Sequence, residues 1–364
     1  MEPSSYDPCL LITKGENSAF GVVGMQTDDT LILADEHFAQ LEERKIVEKK
    51  FLAKDIEQLA EDHSLGFNGC RVHLLADDII NMLQKDQGQR LAKIDVKAEN
   101  AEDEYRRQRA RGAYIASICQ PEATFDLSSA AQHQHPKPEH VRELNKILQW
   151  QIDNQDRGLK YVPIDLATAK LFIFVDGSFA NNEDLSSQIG YIIVLANETP
   201  PSSGQFSIRG NIHHWSSTKC KRVTRAVLAS ELYAMVAGID MAISVSTTLN
   251  QIMRQLKLNP IPVIICTDSF SLYECMVKLG TTKEKRLMID IMAIRQSYER
   301  RELSEIRWIS GTTNPADAMT KTKTKCNAAL ATLVSTNQLE VRVEGWVQRP
   351  ELNEGAGNVE VVAS

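Results

Sequence analysis

The sequence predicts an α/β (α+β) protein whose second half is a mixed five-stranded sheet with flanking helices. Three observations predict it. Leu171 to Val175 is a continuous apolar run that ends on Asp176 and Gly177, the pattern of a strand buried on both faces and stopped at a sharp turn. From there, apolar runs and helical spacings follow in the order β-β-β-α-β-α-β-α. Three strands in succession before the first helix, and no GxGxxG after any strand, exclude a simple dinucleotide-binding repeat.

The chain has 364 residues, enough for two or three domains, and its 43% hydrophobic and 24% charged residues describe a globular chain with buried cores. A net charge of -7 excludes a strongly basic nucleic-acid binder as a whole, although local basic patches matter more than the total. No apolar run approaches the roughly 20 residues of a membrane helix. The first residues, MEPSSYDPCLLITKGEN, lack the basic-then-apolar order of a secretory signal. An intracellular chain, cytoplasmic or nuclear, with no membrane partner is therefore expected. Seven cysteines, Cys9, Cys70, Cys119, Cys220, Cys266, Cys275 and Cys326, are scattered without a CxxC pair. They read as reduced thiols rather than a disulfide framework or a zinc site.

In the first part, Cys9 to Ile12 and Phe20 to Met25 read as strands. Asp28 and Asp29 fall between two apolar runs, at the tip of an expected hairpin. Adjacent carboxylates repel, so the pair belongs either to a solvated turn or beside a cation. Glu36 to Lys50 is a charged helix with Phe38, Leu41 and Ile46 inward, and Asp77 and Asp78 read as solvated helix positions. Glu99 to Arg111 is a charged connection, helical or flexible. A helix follows, interrupted at Pro121 and resumed after Asp126. His133 and His135 sit in a Pro-bounded loop, and Val141, Leu144, Ile147, Leu148 and Ile152 give Pro138 to Asp156 helical spacing.

In the second part, strands are expected at Ile189 to Leu195 and Gln205 to Ser216. TKCKRVTR then opens a long helix to about Leu256, with Glu231 at the edge of its apolar stripe. Val263 to Cys266 is a strand running into Asp268. Helices at Phe270 to Leu279 and Lys283 to Arg301 lead to the strand SEIRWIS. TTNPADAMTK opens a further helix, with Pro315 in its first turn and Asp317 near its start. CNAALATLVST reads as a helix, Leu339 to Glu344 as a strand, and GAGNVEVVAS as a disordered tail. The expected domains are 1–165, 166–325 and a C-terminal extension, 326–364.

Asp176 and Asp268 each end a buried strand, Glu231 lies on the helix between them, and Asp317 opens the last helix. Acids on four elements that converge at one sheet edge form a candidate site. Hard oxygen ligands in that number suit Mg²⁺ or Mn²⁺. Two such ions, about 3.5–4 Å apart, clamp the attacking and leaving oxygens of a phosphodiester.

FVDGS, KCKRVTRAVLASELYAM, ICTDSFSLYE and NPADAMTK, in this order over Lys170 to Lys323, resemble a ribonuclease H (RNase H) domain. More closely, they resemble the reverse transcriptase–RNase H portion of Ty1/copia-type LTR-retrotransposon polyproteins of a fungal kind. YDPCLLI and GVVGMQTDDTLIL are similar to the end of the polymerase palm, with QTDD for the more familiar YxDD. RGAYIASICQPEATFDLSSAAQ and LNKILQWQIDNQDRGLKY resemble the segment joining polymerase to RNase H. The resemblance implies that Asp176, Glu231, Asp268 and Asp317 hold two Mg²⁺ or Mn²⁺ ions, and that the chain cuts RNA in RNA–DNA hybrids. Water activated by one metal would attack the phosphate, while the second stabilises the leaving 3′-oxygen. The RNA strand is told from DNA by its 2′-hydroxyl. Other products of such a polyprotein are the implied partners.

Asp28 and Asp29 match the second acidic motif of the polymerase. The fingers and the first palm motif have no counterpart ahead of them, so a truncated, vestigial polymerase is expected. SGTTNPA, ahead of Asp317, lacks the histidine that assists product release in some ribonucleases H, which implies slow turnover. The Glu between the two strand acids separates the pattern from integrases, whose Glu lies late in the domain. A catalytically inactive nucleic-acid-binding remnant is the alternative. Lys219, Lys221, Arg222 and Arg225, and Lys283, Lys285 and Arg286, either track phosphates or solvate helix starts. The lysines from Lys321 read as solvating. Trp215 and Trp308 read as core, against stacking on a base.

Overall fold

The structure, a computed structural model, describes residues 1–348 apart from 16–18, 53, 203, 278–281, 283 and 322–327. The expected tail, Lys283, Lys323 and Lys325 lie outside the described residues. The chain divides into two compact units: Met1–Thr168 with Ile243–Ile261, and Ala169–Ala242 with Pro262–Ser364.

The first unit holds two antiparallel four-stranded sheets and a group of helices. Leu10–Ile12, Gly21–Gln26 and Asp29–Ala34 pair in chain order, with Gln26 opposite Asp29. Asp28 and Asp29 are therefore at a hairpin tip, as expected, and both are exposed. Asp77 and Asp78 require a correction. They lie on a turn, Ala76–Asp78, between the antiparallel strands Cys70–Leu74 and Ile80–Gln84, and not on a helix. Both take positive φ, 59° and 56°, a region that Asp tolerates better than most residues. The apolar residues on either side belong to two strands that face each other. The charged connection is a helix, Ala101–Ile118. After Pro121 a short 3₁₀ turn leads straight into Thr124–Ala130, so the helix resumes before Asp126. With Pro138–Asp153 these helices close on Tyr105, Ile115, Leu127, Leu144 and Leu148, all buried.

The elements after Thr168 are β1 Ala169–Ser178, β2 Gln188–Ser202, β3 Gln205–Lys219, α1 Val227–Gln255, β4 Val263–Thr267, α2 Phe270–Val277, α3 Leu287–Glu299, β5 Glu305–Ile309, α4 Ala328–Thr336 and β6 Gln338–Gln348, all in the second unit except the part of α1 from Ile243 onward. The sheet runs β3-β2-β1-β4-β5. β1 and β2 are antiparallel, as are β2 and β3, while β4 is parallel to both β1 and β5. This is the mixed sheet of an RNase H-like fold. Its central strands are buried on both faces: Leu171 to Val175 on β1, Ile192 to Val194 on β2 and Val263 to Cys266 on β4.

Three expectations about this unit are corrected. First, TKCKRVTR does not open α1. Lys219 ends β3, and Lys221, Arg222 and Arg225 lie between strand and helix. α1 is also, by length and composition, apolar enough to cross a membrane, although Leu232, Met235 and Ile239 are buried in the protein. Second, Pro315 does stand in the first turn of a helical segment, but Pro315–Met319, like Gly311–Thr313 before it, is 3₁₀ rather than α. Third, the extension is part of the sheet. The first half of β6, Gln338 to Arg342, pairs antiparallel with β3, and its second half, Val343 to Gln348, pairs antiparallel with β5. A sixth strand thus joins the two edges of the expected five.

Beneath that junction lies a buried charge network. Arg307 of β5 has a fully buried side chain. Its Nη1 and Nη2 donate to the two oxygens of Glu198 on β2, at 2.6 and 3.1 Å, and its Nε donates to Glu305 at 2.8 Å. Lys170 of β1 adds a bond to Glu198 at 2.7 Å. The guanidinium lies 4.4 Å from the Phe206 ring centre of β3 and 4.1 Å from that of Trp346 of β6. Burial works against the Glu198 carboxylate, yet Arg307 and Lys170 hold its pKa below the ordinary value.

Candidate functional site

The register of the parallel pair builds the site. Thr267 of β4 stands opposite Val175 of β1, so the next residues lie side by side, Asp268 just past the end of β4 and Asp176 two residues before the end of β1. β4 ends there, but β1 does not stop at its acid as the sequence suggested: Asp176, Gly177 and Ser178 continue to pair with β2. α1 approaches the same edge. The backbone N–H of Gly177 donates to Glu231 Oε2 at 3.1 Å, and the Ser230 hydroxyl donates to the Gly177 carbonyl at 3.3 Å. Carboxylate oxygens of Asp176, Glu231 and Asp268 all lie within 4.8 Å of one another.

Gly177 permits this approach. A Cβ there would stand 2.4 Å from the Ser230 carbonyl carbon and oxygen and 2.6 Å from the Glu231 nitrogen. Gly177→Ala is expected to push β1 and α1 apart and to cost about 1–3 kcal/mol of stability. A urea unfolding curve checks this, and an unchanged midpoint would show that the helix start yields freely.

Asp317 is buried but is not one of those three. It is linked to them through Lys321, whose Nζ lies 3.0 Å from Asp317 Oδ1 and 3.7 Å from Asp176 Oδ2. The Thr320 hydroxyl donates to Asp176 Oδ2. Asn314, 1% exposed, holds the loop: its Nδ2 donates to the Val175 carbonyl at 3.0 Å, and its Oδ1 accepts the Ala316 N–H at 3.1 Å.

The electrostatics follow from crowding acids in a dry place. Burial first, then the Asp317 charge, pushes the Asp176 pKa well above the usual carboxylate range. Burial, then Asp176 and Asp268, does the same to Glu231. Asp268 is pushed up to about 6 by burial and by Asp317. Burial works against the Lys321 ammonium, yet Asp176 and Asp317 hold its pKa above that of an ordinary lysine.

Such a set fits a divalent cation. The donors are hard carboxylate oxygens of the kind Mg²⁺ and Mn²⁺ prefer. Oδ1 of Asp268 is buried with no hydrogen-bond partner among the described residues, which leaves it available to a cation.

The other sequence candidates lie elsewhere. Asp28 and Asp29 belong to the first unit and, among the described residues, join no cluster able to hold a metal. Lys219, Lys221, Arg222 and Arg225 are all exposed. Lys219 pairs with Asp184, and Arg222 with Asp290 at 2.9 Å and with the Tyr233 ring. Trp308 is half-buried between Phe270 and Tyr273 and donates through Nε1 to the Asp268 carbonyl at 3.3 Å. Sequence reasoning missed four residues here: Asn314, Thr320, Lys321 and the exposed Phe270, 47% accessible beside Asp268. For three of them the signal was adjacency, since Asn314 and Thr320 flank Asp317 at three residues and Phe270 follows Asp268 by two. Lys321 is a correction: it pairs with two of the acids rather than solvating the chain.

No family profile matches the chain, and no curated protein matches it. Solved structures do. LC11-RNase H1 in complex with an RNA/DNA hybrid is 21% identical, with a TM-score of 0.30, over 42% of this chain and 94% of that one. RNase H1 from the halophilic archaeon Halobacterium salinarum NRC-1 is 16% identical, with a TM-score of 0.29, over 44% and 98%. The protease-reverse transcriptase of prototype foamy virus is 13% identical, with a TM-score of 0.25, over 84% of this chain and 43% of that one.

Proposed function

We propose that this chain is a metal-dependent ribonuclease H that cuts the RNA strand of RNA–DNA hybrids, and that it derives from the reverse transcriptase–RNase H region of a Ty1/copia-type LTR retrotransposon. The observation that carries the activity is the meeting of Asp176, Glu231 and Asp268 within 4.8 Å at one sheet edge, with Asp317 beside them. These four acids would hold two Mg²⁺ or Mn²⁺ ions. When bound, the ions supply Lewis acidity at the attacking and leaving oxygens of the phosphodiester.

The chain's own residues bind and orient. Gly177 N–H fixes the rotamer of Glu231, and the Thr320 hydroxyl fixes Asp176. Asn314 ties the loop that carries Asp317 to β1 at Val175, the residue before Asp176. Lys221 and Arg225, exposed on the segment ahead of α1, would meet phosphates, while Phe270 offers a flat apolar face at the rim. The origin in a mobile element rests on FVDGS, ICTDSFSLYE and NPADAMTK and their order in the chain. Other polyprotein products of that element are the proposed protein partners.

The purified protein is expected to cut a hybrid labelled on its RNA strand in the presence of Mg²⁺ or Mn²⁺, to leave the matching DNA duplex whole, and to stop on addition of a chelator. Binding of the hybrid with no cutting under either metal would support an inactive remnant instead.

A further inference from the structure

Lys321 stands where the proposed nuclease would hold a cation, and the inference rests on that reading. Its Nζ is 3.0 Å from Asp317 Oδ1 and 3.7 Å from Asp176 Oδ2. Its position is set by the turn from Asp317 to Lys321. Thr320, fully buried, donates to Asp176, and its carbonyl accepts from Asn181 Nδ2 at 3.1 Å. Lys321 N–H donates to the Asp317 carbonyl at 3.1 Å. A side chain four residues after an acid, on a helical turn, returns to that acid. Here it also reaches a second acid from another element. Glu231 and Asp268 face the same ammonium at longer range.

We propose that Lys321 is a resident counter-ion that competes with divalent metal for Asp176 and Asp317. An ammonium and a metal ion cannot both take the same carboxylate oxygens at contact distance. Lysine's long, rotatable stem lets it leave without moving the backbone, which a shorter cationic group would not allow. The positive charge thus holds the acids together without metal and sets a threshold concentration for loading.

The test is a Mn²⁺ titration, followed by the electron paramagnetic resonance of the free ion, on the whole chain without nucleic acid. Lys321→Met is expected to bind Mn²⁺ about tenfold more tightly, from the loss of one like charge within several ångströms, and to melt lower when metal-free. Lys321→Arg, which keeps the charge, is expected to stay near the unaltered protein in both measurements. If Lys321→Met does not fold, the unaltered protein still answers: Mg²⁺ is expected to increase methylation of the Lys321 amine, read by mass spectrometry. Equal Mn²⁺ affinity in the unaltered and Met proteins, or Lys321 methylation indifferent to Mg²⁺, overturns the competition alone. No Mn²⁺ binding by any of the proteins overturns both the competition and the metal-dependent nuclease.

Discussion

Asp268→Asn abolishes cutting of the RNA strand, by about 10²–10³-fold or more, and leaves the fold intact: that is the expected result of the substitution with the largest effect on activity. The residue contributes a buried oxygen without a hydrogen-bond partner among the described residues, so an amide there loses the charge and keeps the shape. The same change is expected to stabilise the metal-free protein. Asp268 has its pKa pushed up from the ordinary 3.8 to about 6, by burial and by Asp317. A carboxyl raised in the folded state keeps its proton there, so its contribution to stability is fully present below about pH 4 and is lost as pH rises through about 6. The loss is on the order of 3 kcal/mol. In a chelator, the melting temperature of the Asn variant should therefore exceed that of the unaltered protein by a margin that grows from pH 4 to 7. Saturating Mg²⁺ should shrink or reverse that margin, because the variant has lost a ligand. A pH-independent margin would place the carboxylate in contact with water, away from the other acids.

Arg307→Ala is expected to have the largest effect on stability, a loss of about 3–5 kcal/mol. The guanidinium is the shared partner of Glu198 and Glu305 and is fully buried. Removing it leaves two buried carboxylates with, among the described residues, only Lys170 as counter-charge, and opens a gap between the Phe206 and Trp346 rings. Arg307→Lys keeps one charge but not the fork that meets both oxygens of Glu198, so it should recover part of the loss only. Urea unfolding of the two variants checks this. An Ala variant as stable as the unaltered protein would mean that the network contributes nothing and that the rings carry the junction.

The sequence showed what local pattern can show. Leu171 to Val175 announced a central strand because a strand buried on both faces has no polar positions to interrupt it. Asp176 and Asp268 were legible because each closes such a run. Glu231 read as a stripe edge, and the approach of Gly177 turned that edge position inward. What failed was partnership at a distance. Arg307, in SEIRWIS, looks like an outward-facing charge on a strand, and its partner Glu198 is 109 residues earlier. Leu74 to Leu83 carries apolar residues on either side of two acids, a pattern shared by a helix and a tight hairpin. Lys321 opens a run of alternating lysines, which looks solvated until the turn that carries it is seen to fold back on Asp317. β6 looked like a lone strand because nothing in its own residues names the strands on either side.

That last strand has a consequence for how the protein behaves in concentrated solution. An outer strand with bare amides and carbonyls is a template on which another chain can add. β5 is short and parallel to its inner neighbour, and its outer row of donors and acceptors is taken by β6 along its whole length, while β3 is covered over Gln205 to Arg209. A chain shortened before Gln338 would bare both rows at once. Its first symptom would be self-association through those rows, ahead of any change at the acids.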